Sequence, residues 1–156
     1  MKNFFKLTGS IFVCFLPGII GGFITAKNIY PWFSFLKKPF FSPPSWVFSP
    51  VWTMLYILMG VSLFLVLKAE NSKDKIQGTI FFGIQLVLNG LWSIVFFGLH
   101  NILLAFIVII FLLLFILLSI LKFFNVSKNA AYLLIPYLLW VSFASILNFS
   151  LYILNR

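Results

Sequence analysis

The chain has 156 residues, 63% of them hydrophobic and only 8% charged. That length suits one domain over residues 1–156, and a soluble domain needs about a quarter of its residues charged to wet its surface, so most of this surface faces lipid. The net charge of +9 does not mark a nucleic-acid partner: Lys and Arg occur one to three at a time between apolar runs, with no basic stripe to follow a phosphate backbone, and they read as anchors to anionic headgroups.

Five apolar stretches, at 5–26, 46–68, 79–98, 102–122 and 129–153, are each long enough to cross a hydrocarbon core of about 30 Å. They predict an all-α membrane protein, a bundle of five transmembrane helices. The first stretch opens with Lys2 and Lys6, as a signal peptide does. Its apolar run is long, however, and no small-residue cleavage motif precedes Tyr30-Pro31-Trp32, so it reads as a retained span. It carries Cys14, the only cysteine, which excludes an intramolecular disulfide. Gly18, Gly22 and Ala26 form a ladder of small residues along it, suited to close approach by another helix of this chain or of a second copy.

The connection from Lys27 to Pro44 holds Pro31, Pro39, Pro43 and Pro44 among Trp32, Phe33, Phe35, Phe40 and Phe41. Prolines stiffen a backbone and aromatics need burial, so this first loop is expected to be a structured lid over one end of the bundle. Trp46 reads as an interfacial anchor, and Trp32 as anchor or lid. In the second span Trp52, Tyr56, Met59 and Gly60 share a face, with Trp52 about one turn below the lid. Lys68 to Lys75 holds the only two carboxylate side chains, Glu70 and Asp74, and reads as a solvated turn.

In the third span Gln85, Asn89, Trp92, Ser93 and Phe96 fall within an arc of about 100°. His100-Asn101 makes a tight turn with Asn101 as N-cap of the fourth span, and Ser127 is placed to cap the fifth. The fourth run, Ile102 to Leu121, has Ser119 as its one polar residue and reads as a wall toward lipid. In the fifth, Pro136, Tyr137, Trp140, Ala144 and Asn148 share a face, with Trp140 near mid-helix. Three helices thus each present a tryptophan with a hydrogen-bonding group. Gln85 and Asn89 taken alone read first as glue between helices.

No span has a carboxylate, lysine or arginine at its centre, which argues against proton-coupled transporters, pumps and voltage sensors. Paired-carboxylate and Ser-His-Asp catalysis lack their parts inside the bilayer. With one histidine, His100, and one cysteine, no metal site is expected, and no cofactor. Lys2, Lys6, Lys68, Lys73, Lys75, Lys122 and Lys128 fall on the N-terminal side of the membrane, against Lys27, Lys37, Lys38 and Arg156 opposite. That bias predicts the N-terminus in the cytoplasm, with the lid and the C-terminus outside.

Trp32-Phe33, Leu36, Lys38-Pro39, Phe41, Pro43-Pro44 and Trp46-Val47-Phe48 run without a gap into P-V-W-T-M-L-Y-I-L-M-G at 50–60. With Q-L-V-L-N-G-L-W-S-I-V-F-F-G at 85–98 and L-L-I-P-Y-L-L-W-V-S-F-A-S-I-L-N at 133–148, the order and spacing resemble the translocator protein or tryptophan-rich sensory protein (TspO/MBR) family. The resemblance implies a five-helix bundle in the cell membrane, bacterial in setting and often a homodimer, with a ligand cavity beneath the first loop. It implies porphyrins or other apolar planar molecules as partners, and a sensory or regulatory role in tetrapyrrole or stress handling. By motif position it carries over Trp52, Tyr56, Asn89, Trp140 and Ala144, with Trp32, Phe33 and Pro44 from the lid, and Gln85 and Trp92 join them from the third helical face. Phe33 stands where the family commonly has Tyr, which removes a hydroxyl. Leu147, Tyr152 and Arg156 only loosely echo the sterol-recognition segment of animal members, so sterol binding is not expected. Porphyrin carboxylates would favour the wet end near Lys37 and Lys38. Two alternatives stand beside a binding protein: light-dependent porphyrin degradation with Trp52 and Trp140 as photochemical residues, and an uncoupled porphyrin carrier.

Overall fold

The computed structural model describes residues 2–156. Its helices are α1 (Lys2–Asn28), α2 (Phe48–Lys68), α3 (Lys73–Ser93), α4 (Ile102–Val126), α5 (Lys128–Leu133) and α6 (Ile135–Leu154), and no strand occurs among the described residues. A π-helical turn, Ile94–Gly98, extends α3, and two short 3-10 turns, Phe33–Phe35 and Ser45–Val47, punctuate the first loop. Five spans are long and apolar enough to cross a membrane, α5 and α6 together forming the last over Lys128–Leu154. Helices suit this composition because they satisfy every interior backbone group within one segment, which hydrocarbon demands.

The helix ends follow local chemistry. Asn101 Oδ1 accepts from the Leu104 amide at 2.9 Å, and Ser127 Oγ from Ala130 at 3.4 Å, as their positions predicted. Ser72 Oγ accepts from the Lys75 amide at 3.1 Å, so α3 already begins at Lys73, ahead of its continuous apolar run. Pro136 lacks an amide hydrogen, and the last span breaks just before it at Leu134, whose own amide turns back to the Ala131 carbonyl at 3.1 Å.

The turn after α2 is a tie as well as a solvated connection. Lys75 Nζ donates to carbonyls at the end of α2, Leu67 at 3.1 Å and the C-cap Ala69 at 2.7 Å. Asp74 accepts from Lys122 Nζ at 2.8 Å and from Asn125 Nδ2 at 3.1 Å, joining the start of α3 to the end of α4.

Helix α3 packs along α4 and α1 along α2, while α4 also backs α6. Helix α4 is therefore wall on one side only. Ala105, Ile109, Leu112, Ile116 and Phe123 are buried, whereas Ile107, Phe111, Leu114 and Leu121 point outward. Small residues set the closest approaches. A methyl group added at Gly18 would strike the Tyr56 ring, and one at Gly60 would lie 2.5 Å from the Ile11 Cα. The lower part of the Gly18 ladder thus serves packing within the chain.

Candidate functional site

Beneath the first loop lies a chamber of about 80 Å³. Thr25 of α1 and Ile29 just past its end, Phe48 and Trp52 of α2, Trp92, Phe96 and Phe97 of α3 and its π turn, and Trp140, Ala144, Leu147, Asn148 and Leu151 of α6 line it, with Phe33 from above. The 3-10 turn at Phe33–Phe35 drives the Phe33 ring down, only 3% exposed, to within 5.7 Å of Phe97 and 6.3 Å of Phe48 between ring centres. Phe96 and Phe97 are both buried within the π turn. Trp92 stacks on Phe96 at 5.2 Å, Trp140 meets Phe48 edge-on at 6.1 Å, and Trp52 stacks on Tyr56 at 5.6 Å.

Two polar side chains at this level, Trp92 and Asn148, are already engaged. Trp92 Nε1 donates to Asn148 Oδ1 at 3.0 Å, and Asn148 Nδ2 donates to the Ile102 carbonyl at 2.9 Å. The chamber therefore offers rings and aliphatic groups to an occupant. It contains no ionisable side chain.

A hydrogen-bonded layer from three helices lies below. Tyr56 donates to Asn89 Oδ1 at 2.9 Å, Asn89 Nδ2 donates to the Tyr137 hydroxyl at 3.0 Å, and Tyr137 donates to Gln85 Oε1 at 2.8 Å. Gln85 and Asn89 are 1% and 3% exposed and line no part of the chamber. Stripe reasoning gives the face of a helix correctly but not the depth at which the cavity lies. Asn89 falls just under one turn below Trp92 and Gln85 about two, where the helices close together.

Of the ten residues singled out in the sequence, Phe33, Trp52, Trp92, Trp140 and Ala144 line the chamber. Tyr56 faces a neighbouring cleft instead. Trp32 is roof: it lies edge-on to Phe96 at 5.3 Å and stacks on His100 at 4.4 Å, while His100 Nε2 sits 2.9 Å from Asn28 Oδ1. Pro44 is exposed and sets the entry to the second 3-10 turn. Lys38 is turned to the loop itself, donating to the Ser34 and Leu36 carbonyls at 3.1 and 3.3 Å and covering the Phe33 ring at 4.8 Å. Sequence reasoning left out Thr25, Ile29, Phe48, Phe97, Leu147 and Leu151. Phe96 and Asn148 shared the right faces, and Phe48 closed the loop motif, so those three carried a usable signal. Phe97 carried none, since it lies off the helical arc of Trp92, Ser93 and Phe96.

The adjoining cleft, about 490 Å³, runs between α1 and α2. Gly18, Gly22 and Ala26 line one side, and Ser45, Ser49, Thr53, Trp52 and Tyr56 the other. Thr25, Ile29, Phe48 and Trp52 line both spaces and form the wall between them.

The model of the TspO/MBR family matches residues 10–154. The chain is 44% identical over 154 residues to the tryptophan-rich protein TspO of Archaeoglobus fulgidus, covering 98% of this chain and 99% of that one. It is 35% identical over 148 residues to the tryptophan-rich sensory protein of Cereibacter sphaeroides, covering 94% and 92%. It is 33% identical over 138 residues to the translocator protein of Ovis aries, covering 85% and 82%. With five apolar spans, an aromatic first loop above a tryptophan-lined chamber, and likeness along nearly the whole length, this multi-pass membrane protein belongs to the TspO/MBR family.

Proposed function

We propose that this protein binds a porphyrin, or a similar flat apolar molecule, against Trp52, Trp92, Trp140 and Phe33, and acts as a sensor or regulator of tetrapyrroles. The observation that carries the reading is a chamber walled by three tryptophans and four phenylalanines, in which Trp92 and Asn148 already bond to each other. Indole and phenyl faces favour stacking and burial of a planar macrocycle. The names of two relatives, a sensory protein and a translocator protein, agree with a ligand-handling role.

Size adds a condition. Pockets for drug-sized ligands span about 300–1,000 Å³, and the chamber of about 80 Å³ lies well below that range. A macrocycle therefore enters only if the wall of Thr25, Ile29, Phe48 and Trp52 yields toward the cleft. Protoporphyrin IX titrated in darkness into the purified protein should quench tryptophan fluorescence saturably. A linear, unsaturable response would end the reading.

The stack of Trp52 on Tyr56 at 5.6 Å favours a second reading, photochemical degradation. An indole gives one electron to the light-excited macrocycle, becoming a radical cation as the macrocycle becomes a radical anion. Loss of the porphyrin spectrum under light, and not in darkness, tests it. If the protein instead carries porphyrin, transport is uncoupled, since no span has a charged side chain at its centre.

The N-terminus is proposed to lie in the cytoplasm, with the lid outside. Glu70 and Ser34 are exposed at opposite ends of the bundle. In a Cys14→Ser background, an impermeant thiol reagent applied to intact cells should label a cysteine at position 34 and spare one at 70. The reverse pattern would invert the orientation.

A further inference from the structure

We infer that the ligand reaches the chamber sideways from the bilayer, through the cleft between α1 and α2, while the loop above remains latched. This rests on the proposed binding of a flat apolar molecule and adds its route.

The roof is fastened at several points. Asn155, at the end of α6, accepts from the Lys37 amide and donates to the Lys37 carbonyl, both at 2.9 Å, gripping the loop backbone from the far end of the chain. Trp32 is stacked on His100, and Phe33 is sunk among Phe48, Phe96 and Phe97. To open upward the loop must give up both backbone bonds and expose its buried rings together.

The side is built differently. Only 17% of the apolar window of α1 is buried, against 33% for the next lowest span, α4, so α1 is the least buried span. Its small residues leave the cleft open where it matters. An added methyl at Gly18 would strike Tyr56, which closes the cleft at that level, whereas at Gly22, one turn nearer the loop, it would meet nothing within 4 Å. Above Gly22 the cleft reaches Thr25, Ile29, Phe48 and Trp52, the same four side chains that bound the chamber. A rotation of those side chains joins the two spaces without moving the roof. The solvent on that side is hydrocarbon, where an apolar planar molecule concentrates. The cleft is therefore assigned to that molecule in transit.

The test places the full-length protein in phosphatidylcholine nanodiscs with protoporphyrin IX dissolved in the lipid, and follows tryptophan quenching by stopped flow. Gly22→Leu fills open space and should leave the melting temperature unchanged. It should slow association and dissociation alike by about tenfold with Kd within about twofold, the signature of a blocked doorway, and Gly22→Ala should do so weakly. Gly83→Leu on α3, where an added Cβ also meets nothing, is the control and should change neither rate. Asn155→Ala should also leave both rates unchanged.

Unaltered rates in Gly22→Leu, or faster binding and release in Asn155→Ala, would overturn the lateral route. So would a weaker Kd in Gly22→Leu arising from faster release, which makes the cleft a seat for the ligand. A change in oligomeric mass of that variant would make the cleft an interface between copies and overturn it too. Failure of the parent protein to bind porphyrin in darkness would remove the proposed function itself, an outcome read before any variant is compared.

Discussion

The half of the bundle below Trp52 and the half beneath the loop use aromatic residues for opposite ends. In the lower half Phe82 stacks on Phe123 at 5.6 Å, Ser62 donates to the Ala130 carbonyl at 2.8 Å, and Tyr56, Asn89, Tyr137 and Gln85 close a hydrogen-bonded layer. Two glycines there are close-packed: a methyl at Gly78 would lie 2.8 Å from the Phe123 ring, and one at Gly60 2.5 Å from the Ile11 backbone. In the upper half the rings of Phe33, Phe48, Trp52, Trp92 and Trp140 surround space, and Gly22 faces open cleft. The contrast teaches that an apolar bundle gains its firmness where small residues and internal hydrogen bonds let backbones close. Where large rings are held apart it gains room for a ligand.

The comparison breaks first, and with the largest effect, at Gly60. Gly60→Val pushes on the Ile11 main chain, which cannot rotate away, so α1 must shift. A loss of about 3 kcal/mol, the upper part of the usual overpacking range, is expected in unfolding measured in mild detergent. Stability unchanged by this variant would show that α1 is loosely held in the lower half as well.

Next is the polar layer. Asn89→Leu removes the acceptor of Tyr56 and one donor to Tyr137, at a cost of about 1–2 kcal/mol. Adding Tyr56→Phe should recover part of that loss, because the orphaned hydroxyl goes with it. A double variant no better than the single would mean that the layer is held by packing alone.

In the upper half the sign changes. Ala144→Phe adds a ring to a void, so the bundle should stay folded while porphyrin affinity falls at least tenfold, or about 1.4 kcal/mol. Dark titration beside a thermal melt checks both parts. Normal binding would detach Ala144, and the chamber with it, from the ligand.

This division was partly legible before any coordinates. Hydropathy gave five spans, and the 3.6-residue period put Trp52, Trp92, Trp140 and Ala144 on the correct faces, because each lies among residues of contrasting size or polarity. In α4 that contrast is absent, so its buried face, from Ala105 to Phe123, was hidden in a uniformly apolar run. Depth was hidden too: Gln85 and Asn89 share an arc with Trp92, and periodicity says nothing of where neighbouring helices part. The grip of Asn155 on Lys37 spans 118 residues of sequence and leaves no local trace.

The smallest expected effects would sharpen the comparison most, since they ask whether the upper indoles are surfaces or reagents. Trp52→Phe and Trp140→Phe each retain an aromatic face and, in dark titrations, should cost only about 1 kcal/mol of stacking and area. Trp92→Phe differs in kind. It deprives Asn148 Oδ1 of its donor, so its loss should appear in stability as well as in binding. A phenyl ring is much harder to oxidise than an indole. If an indole donates to excited porphyrin, Trp52→Phe or Trp140→Phe must slow the light-driven loss of the porphyrin spectrum far more than it weakens dark affinity. Trp52 carries the stronger expectation, because Tyr56 stacks beneath it at 5.6 Å and Tyr137 lies edge-on at 6.3 Å, whereas the close ring partners of Trp140 are Phe48 and Phe143. Parental degradation rates in both variants would leave the indoles as stacking surfaces, and the upper half as a binding chamber alone.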